Sequence, residues 1–338
     1  MAYPSSRYFL GLIPWYSILI AAGAVMCIWL SSRESKRLCL PENTVTDLAL
    51  LVLPLGIIGA RLYYICFSWP YFRNNLITIF FIWEGGLAIY GGILAGFLTT
   101  VVFCQRRHLS VRMILDIISP GVALAQSVSR WGNYFNHEAY GMAFTNPSLC
   151  FFPLAVQIWE NGILVWHAAT FFYESIMDFG IFLFLLWGRR HLFSRQGDVF
   201  FFYIFFYAAG RLCIENLRDD SLYLSSNIRI SQLLSLLICM ICIIVFLKRQ
   251  LKYHHSRSFF IRFFSVLPLL WAVPVICFCF GWRPFLFSPV KAQMLLLGSF
   301  SMISVLSVLL LYILGRTSEV CYANHSNKKP DLQDSSAL

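Results

Sequence analysis

The residues best suited to chemistry lie in one polar stretch, residues 129–141, of a chain that otherwise consists mostly of apolar residues. It contains a cation, Arg130, two carboxamides, Asn133 and Asn136, and a carboxylate, Glu138. In a membrane protein, polar groups gathered at one depth usually serve a substrate or an ion path. The sequence therefore predicts that this stretch binds a polar ligand.

A simpler interpretation of the same stretch is a solvated loop between two helices. Gly132 and Gly141 count against it, because glycine is favoured where the backbone turns tightly. We therefore expect an ordered segment with turns at the two glycines.

A second set of candidates lies near residue 211. Arg211 and Glu215 are four residues apart, so they share one helix face, and Tyr207 lies one turn earlier on that face. Arg218 follows directly and is expected at the outer mouth of a site. An ordinary intrahelical ion pair remains the alternative, although the surrounding residues are mainly Phe, Tyr and Ile.

Long apolar runs must position these residues. We predict nine spans, each close to the roughly 20 residues that cross the hydrocarbon of a bilayer as a helix. They cover residues 12–30, 46–68, 86–104, 112–130, 168–187, 198–215, 228–247, 259–282 and 292–314. Glycines in the second and third spans predict a close approach of those helices.

Basic residues set the predicted orientation. The loops after the first, third, fifth and seventh spans are rich in Arg and Lys, and the intervening loops are poorer. The rich loops belong in the cytoplasm. The sequence thus predicts an outer N-terminus and a cytoplasmic C-terminus in a multi-pass membrane protein.

This topology brings several polar residues to the outer half of the bilayer. An Arg at mid-membrane costs about 2.5–3.5 kcal/mol, so three Arg residues near one depth predict a shared anion. Separate arginines reaching individually for the outer headgroups are the alternative. The converging residues are Tyr16, Arg61, Tyr90, Arg130, Arg211 and Glu215.

The composition agrees with this interpretation. Of 338 residues, 59% are hydrophobic and 12% are charged, against about 25% charged in a typical soluble domain. The formal charge of +10 comes mostly from short basic loops, so a membrane surface explains it without nucleic acid. The predicted fold is all-α, a polytopic membrane helical bundle.

The motifs resemble those of the prolipoprotein diacylglyceryl transferase family of bacteria. The pattern Arg130-x-Gly132-Asn133-Tyr134-x-Asn136-x-Glu138-x-x-Gly141 is similar to the family signature. Further similarities follow in the right order up to about residue 247. They are Trp15-Tyr16, Gly59-Ala60-Arg61-Leu62-Tyr63-Tyr64, Asp116 with Pro120, Tyr173-Glu174, Tyr207-x-x-x-Arg211-x-x-x-Glu215-x-x-Arg218, and Gln232.

The resemblance implies transfer of a diacylglyceryl group from phosphatidylglycerol to the lipobox cysteine thiol of a preprolipoprotein, with release of glycerol 1-phosphate. It implies no metal or organic cofactor. It assigns residues 1–250 to a transferase domain of about seven helices. Residues 251–315 are then an extra C-terminal helix pair, peripheral to that domain, and residues 316–338 are a polar cytoplasmic tail.

The resemblance also suggests roles. Arg130 and Arg211 would bind the phosphate, since guanidinium groups bind phosphate oxygens bidentately and offset developing charge. Asn133 and Asn136 would fix glycerol or phosphate oxygens. Glu138 and Glu215 would orient the arginines or bind headgroup hydroxyls. The other predicted substrate-binding residues are Tyr16, Arg61, Gly141, Tyr207 and Arg218.

Two positions depart from the family pattern. Tyr90 stands where many members have a histidine proposed as the base. A phenol keeps its proton at neutral pH, so we expect Tyr90 to position the substrate while the arginines activate the thiol. His137 replaces the usual glycine and is expected to be an exposed loop residue, and His167 is not mapped onto a family position.

The rival function is a transporter or flippase for an anionic lipid, which would also place arginine in a membrane cavity. Transporters often contain duplicated halves, and the sequence has no internal repeat that we detect. A purely structural membrane scaffold would leave the Arg-Asn-Glu signature unexplained.

Overall fold

The computed structural model describes residues 7–144, 146–160, 162–193, 195–218, 223–225, 228–253, 297–309 and 312. Nine helices occur in these ranges. They are α1 (Trp15–Arg37), α2 (Thr44–Phe67), α3 (Trp69–Phe72), α4 (Ile89–Arg106), α5 (Val111–Asn136), α6 (Thr170–His191), α7 (Asp198–Ile214), α8 (Ile230–Tyr253) and α9 (Leu297–Leu309).

The predicted polytopic helical fold is confirmed. Helices α1, α2, α4, α5 and α6 are each long and apolar enough to cross a membrane. Helix α7 has 17 residues, and α8 and α9 contribute the shorter apolar segments Ile230–Phe246 and Leu297–Leu309. Of the other predictions, the span 259–282 and the tail from residue 316 lie outside the described residues.

Helix α5 extends further than the sequence predicted. It ends at Asn136 instead of residue 130, so half of the polar stretch is helical. The turn predicted at Gly132 is therefore wrong, and the glycine serves a close approach instead. A Cβ atom there would lie 2.5 Å from Cδ2 of Tyr16. His137 follows the helix at φ 63°, a left-handed position that favours glycine after a helix end.

Three short antiparallel strand pairs occur among the described residues, and the sequence analysis missed all of them. They are β1 (Tyr8–Phe9) with β2 (Ile13–Pro14), β3 (Ala155–Glu160) with β4 (Ile163–Ala168), and β5 (Tyr223–Ser225) with β6 (Ile228–Arg229).

The chain forms two compact units. The helical unit comprises Tyr8–Gly132 and Asp178–Tyr203, and the hairpin unit comprises Asn133–Met177 and the described residues from Ile204 onward, together with Arg7.

In the helical unit, α2 and α4 pack closely, as the glycines predicted. A Cβ atom on Gly59 would lie 2.8 Å from the carbonyl oxygen of Gly91. At one end of these helices, α5 joins them in an apolar core that contains Val45, Leu48, Phe103, Cys104, Ile114 and Ile117.

Two carboxylates, one half-buried and one buried, tie helix ends together in the same unit. Asp116 of α5 accepts hydrogen bonds from the backbone N–H groups of Gly197 at 2.5 Å and Phe200 at 2.8 Å. It therefore caps the start of α7, whose first N–H groups have no partner within the helix. Glu34 of α1 pairs with Arg37 at 2.6 Å and with Arg189 of α6 at 3.3 Å.

In the hairpin unit, residues 141–144 lie along β4 like a third strand. Gly141 N–H donates to the Ala168 carbonyl at 2.9 Å, and Phe144 N–H donates to Trp166 at 2.7 Å. Helix α9 also contacts α7 here, because Ser301 Oγ donates to the Ala209 carbonyl at 2.9 Å.

Candidate active site

A buried cluster of arginines and glutamates lies at the end of α7. Nη2 of Arg211 is 2.9 Å from Oε2 of Glu215, one helical turn later. The pairing confirms the predicted shared face of these two residues. Both side chains are largely buried, with 16% and 3% of their surface exposed.

The cluster includes a third residue that we had not chosen as a site residue, Glu174 of α6. Its Oε1 accepts from Nη1 of Arg211 and lies 3.1 Å from Nη1 of Arg218. Only 2% of the Glu174 side chain is exposed. One carboxylate therefore holds two guanidinium groups next to each other.

The backbone around Glu215 is held as well. Arg229 of β6 donates to the Glu215 carbonyl, and Gln232 Nε2 donates to Asn216 Oδ1 at 2.7 Å. Among the described residues of the cluster, three arginines against two glutamates leave one formal positive charge. A buried cluster with surplus positive charge and several N–H donors is suited to an anion such as phosphate.

A cleft beside the polar stretch forms a second part of the site. It is lined by Asn133, Tyr134, His137, Glu138, Tyr140, Val156, Ile158 and Phe171. The residues combine aromatic faces with a carboxamide and a carboxylate, a lining typical of a pocket for a partly polar ligand. His137 is half-buried in this wall, so the expectation that it is an exposed loop residue is wrong.

Gly141 joins the polar stretch to the arginine cluster. It forms an antiparallel bridge with Arg218, and the next residue, Met142, donates to the Leu217 carbonyl at 2.9 Å. A Cβ atom on Gly141 would overlap the Leu217 carbonyl and lie 2.8 Å from Cγ2 of Thr170. The glycine is needed for close packing.

The remaining predicted residues are divided between the two units, and Tyr16, Arg130 and Tyr90 lie in the helical unit. Tyr16 packs on Gly132 of α5, Arg130 is half-buried near the end of α5, and Tyr90 is 42% exposed at the start of α4. Tyr207 and Asn136 belong to the hairpin unit and are half-buried. The sharing of one anion by Arg130 and Arg211 stays a prediction.

Arg61 is engaged differently from Arg211. Its guanidinium donates to the backbone carbonyls of a single segment, Thr78, Ile79, Phe81, Gly85 and Gly86, at 2.6–3.3 Å. It also lies over the ring of Phe72 at 5.2 Å. The guanidinium N–H groups of Arg61 are therefore already engaged by backbone carbonyls. This favours a role for Arg61 in holding the segment 78–86 and not in binding an anion directly.

The fold and the cluster together define a polytopic helical membrane protein with a buried arginine–glutamate site. Comparison with known proteins identifies the family. A family model described as "Prolipoprotein diacylglyceryl transferase" matches residues 9–248. The chain belongs to the prolipoprotein diacylglyceryl transferase family, and the family predicted from the motifs is confirmed.

Relatives in three bacteria carry the name phosphatidylglycerol–prolipoprotein diacylglyceryl transferase. The protein of Enterococcus faecalis is 45% identical over 251 residues, covering 72% of this chain and 90% of the relative. The protein of Limosilactobacillus reuteri is 43% identical, covering 71% of this chain and 88% of the relative. The protein of Staphylococcus xylosus is 36% identical, covering 78% of this chain and 92% of the relative.

Proposed function

We propose that this protein transfers the diacylglyceryl group of phosphatidylglycerol to the thiol of a lipobox cysteine in a preprolipoprotein. The sulfur forms a bond to the glycerol carbon that carries the phosphate, and the carbon–oxygen bond to phosphate breaks. Glycerol 1-phosphate leaves and the thiol proton is released. This is the first step of lipoprotein maturation.

The observation that carries the proposal is the buried cluster of Arg211, Arg218, Glu174 and Glu215. The phosphodiester carries one negative charge, and the leaving phosphate monoester gains a second as the carbon–oxygen bond breaks. Fixed guanidinium groups stabilise that added charge most in the transition state. The carboxylates keep the donors oriented before the substrate arrives.

The residues of the polar stretch complete the proposed site. Asn133 and Glu138, which line the cleft, would bind the hydroxyl groups of the glycerol headgroup. Arg130 would assist at the phosphate. Tyr16, Asn136 and Tyr207 would contact the lipid headgroup, and Tyr90 would position the thiol. The topology that the sequence predicts would put this chemistry in the outer half of the membrane, with the N-terminus outside and the C-terminus in the cytoplasm.

Reconstitution tests the proposal directly. The purified protein is placed in vesicles with phosphatidylglycerol labelled in its acyl chains, and a lipobox peptide is added. We expect label to appear on the peptide in a thioether, with an equal amount of glycerol 1-phosphate. A peptide with serine in place of the cysteine should stay unlabelled. Movement of labelled lipid across the vesicle without peptide labelling would instead identify a flippase.

A further inference from the structure

A buried histidine that is not among the proposed substrate-contacting residues contacts the strand-like segment 141–144, which begins with the last glycine of the signature and is called the signature strand. His167 of β4 is buried, with 4% of its side chain exposed. Its Nδ1 lies 2.7 Å from the carbonyl oxygen of Gly141. A carbonyl can only accept, so Nδ1 carries the proton and donates it.

The other faces of the ring are also occupied. Oε1 of Glu160, on β3, lies 3.3 Å from Nε2, which is within ion-pair distance although the two atoms do not form a hydrogen bond. The ring of Tyr140 meets the imidazole edge-on, with 4.9 Å between the ring centres. Tyr140 is itself part of the cleft wall. His167 therefore contacts both the signature strand and the residue that shapes the cleft.

The Gly141 carbonyl needs this donor. The strand pairing uses the Gly141 N–H for Ala168, and Gly141 is buried. Without His167 its carbonyl would lose the hydrogen bond, and a buried carbonyl without a partner is destabilising. The strand would then shift at the point where it pairs with Arg218.

We propose that His167, supported by Glu160, is a positioning residue for the reaction. It holds the Gly141 carbonyl and thereby fixes Arg218, whose guanidinium shares Glu174 with Arg211. The contacts run from Glu160 through His167, Gly141 and Arg218 to the phosphate-binding cluster. No substrate contact by His167 is involved, and the inference rests on the proposed transferase activity.

Two substitutions separate hydrogen bonding from space filling. His167→Asn shortens the side chain but keeps an N–H group near the position of Nδ1, whereas His167→Leu keeps the volume and loses the donor. We expect His167→Leu to lower kcat/KM for lipid transfer about tenfold or more. His167→Asn should recover most of that loss. Glu160→Gln should cost less, because 40% of its side chain is exposed.

The measurements are initial rates in vesicles over a range of phosphatidylglycerol contents, together with the thermal midpoint of each variant. His191→Leu, at an exposed histidine of α6, controls for the loss of a histidine elsewhere. The inference is overturned if His167→Leu is as active as His167→Asn, or if both match the wild type. An inactive wild-type protein would instead refute the proposed function itself, which keeps the two failures apart.

Discussion

Two buried clusters in this protein use the same residue types for different purposes. In the helical unit, Glu34 pairs with Arg37 and Arg189 and connects the C-terminal ends of α1 and α6. In the hairpin unit, Glu174 and Glu215 hold Arg211 and its neighbour Arg218. Ion pairing alone therefore does not mark a site of chemistry.

The two clusters differ in burial and in the residues that surround them. The Glu34 cluster is a helix-to-helix lock, and half of the Arg37 side chain is exposed. The carboxylates of the Glu174 cluster are more deeply buried than Glu34. This cluster is also joined through Gly141 to residues 141–144, which follow the cleft residues in the sequence. If this distinction is right, substitutions in the first cluster affect stability and those in the second affect turnover.

The largest effect is expected for Arg211→Ala. It removes a guanidinium proposed to stabilise the leaving phosphate, so kcat/KM should fall about 1,000-fold or more, or about 4 kcal/mol. Labelled lipid transfer to the peptide measures it. Membrane insertion should be unchanged, as measured by detergent extraction and size-exclusion chromatography. Near-normal transfer would remove Arg211 from the site.

Glu174→Gln should follow, with about a 100-fold loss. The change keeps the shape but removes the charge that holds the guanidinium groups of two arginines in place. Glu34→Gln is the matched control, since Glu34 also pairs with two arginines. If the two variants lose equal activity, the distinction between the clusters is wrong.

Gly141→Ala should lower activity about tenfold, because the added methyl group overlaps the Leu217 carbonyl and displaces the strand. Gly180→Ala is the matched control. It lies in α6, and a Cβ atom there would meet nothing within 4 Å. That variant should be as active as the wild type and equally or more stable.

Arg61→Lys should have a smaller effect, about threefold on KM, because a lysine cannot reproduce the fork of donors that holds residues 78–86. Its kcat should change little. The exposed neighbour variant Arg73→Lys controls for the chemistry of the change. A loss as large as that of Arg211→Ala would show that Arg61 acts on the substrate after all.

The smallest effect on activity is expected for Glu34→Gln. It leaves Arg189 buried without its carboxylate partner, so the thermal midpoint should drop while transfer per folded molecule stays near the wild-type value. Circular dichroism melts and the lipid-transfer assay are the two measurements. A large fall in turnover with no change in melting would contradict the role of a structural lock.

The sequence was sufficient to locate several long helices and to predict one contact in the candidate site. Apolar runs located α2, α4 and α7 to within a few residues, because the membrane fixes the length and composition of a spanning helix. The spacing of Arg211 and Glu215 predicted their contact, because side chains four residues apart along continuous helical turns lie on one face.

The features that the sequence did not predict depend on contacts between residues that are far apart in the chain. The five carbonyl partners of Arg61 come from a loop whose path no local pattern specifies. Two missed features did carry a signal. Asn161-Gly162 between alternating apolar residues is typical of a hairpin, and Glu174, a carboxylate in an apolar span, should have been treated as functional by default.

The central claim is that the cluster around Arg211 performs chemistry and the cluster around Glu34 does not. The most direct measurement is the ratio of kcat/KM between Arg189→Ala and Arg211→Ala, in vesicles of identical lipid content and corrected for folded protein. We predict a ratio of about 1,000, with Arg189→Ala close to the wild type. A ratio near one would contradict the account.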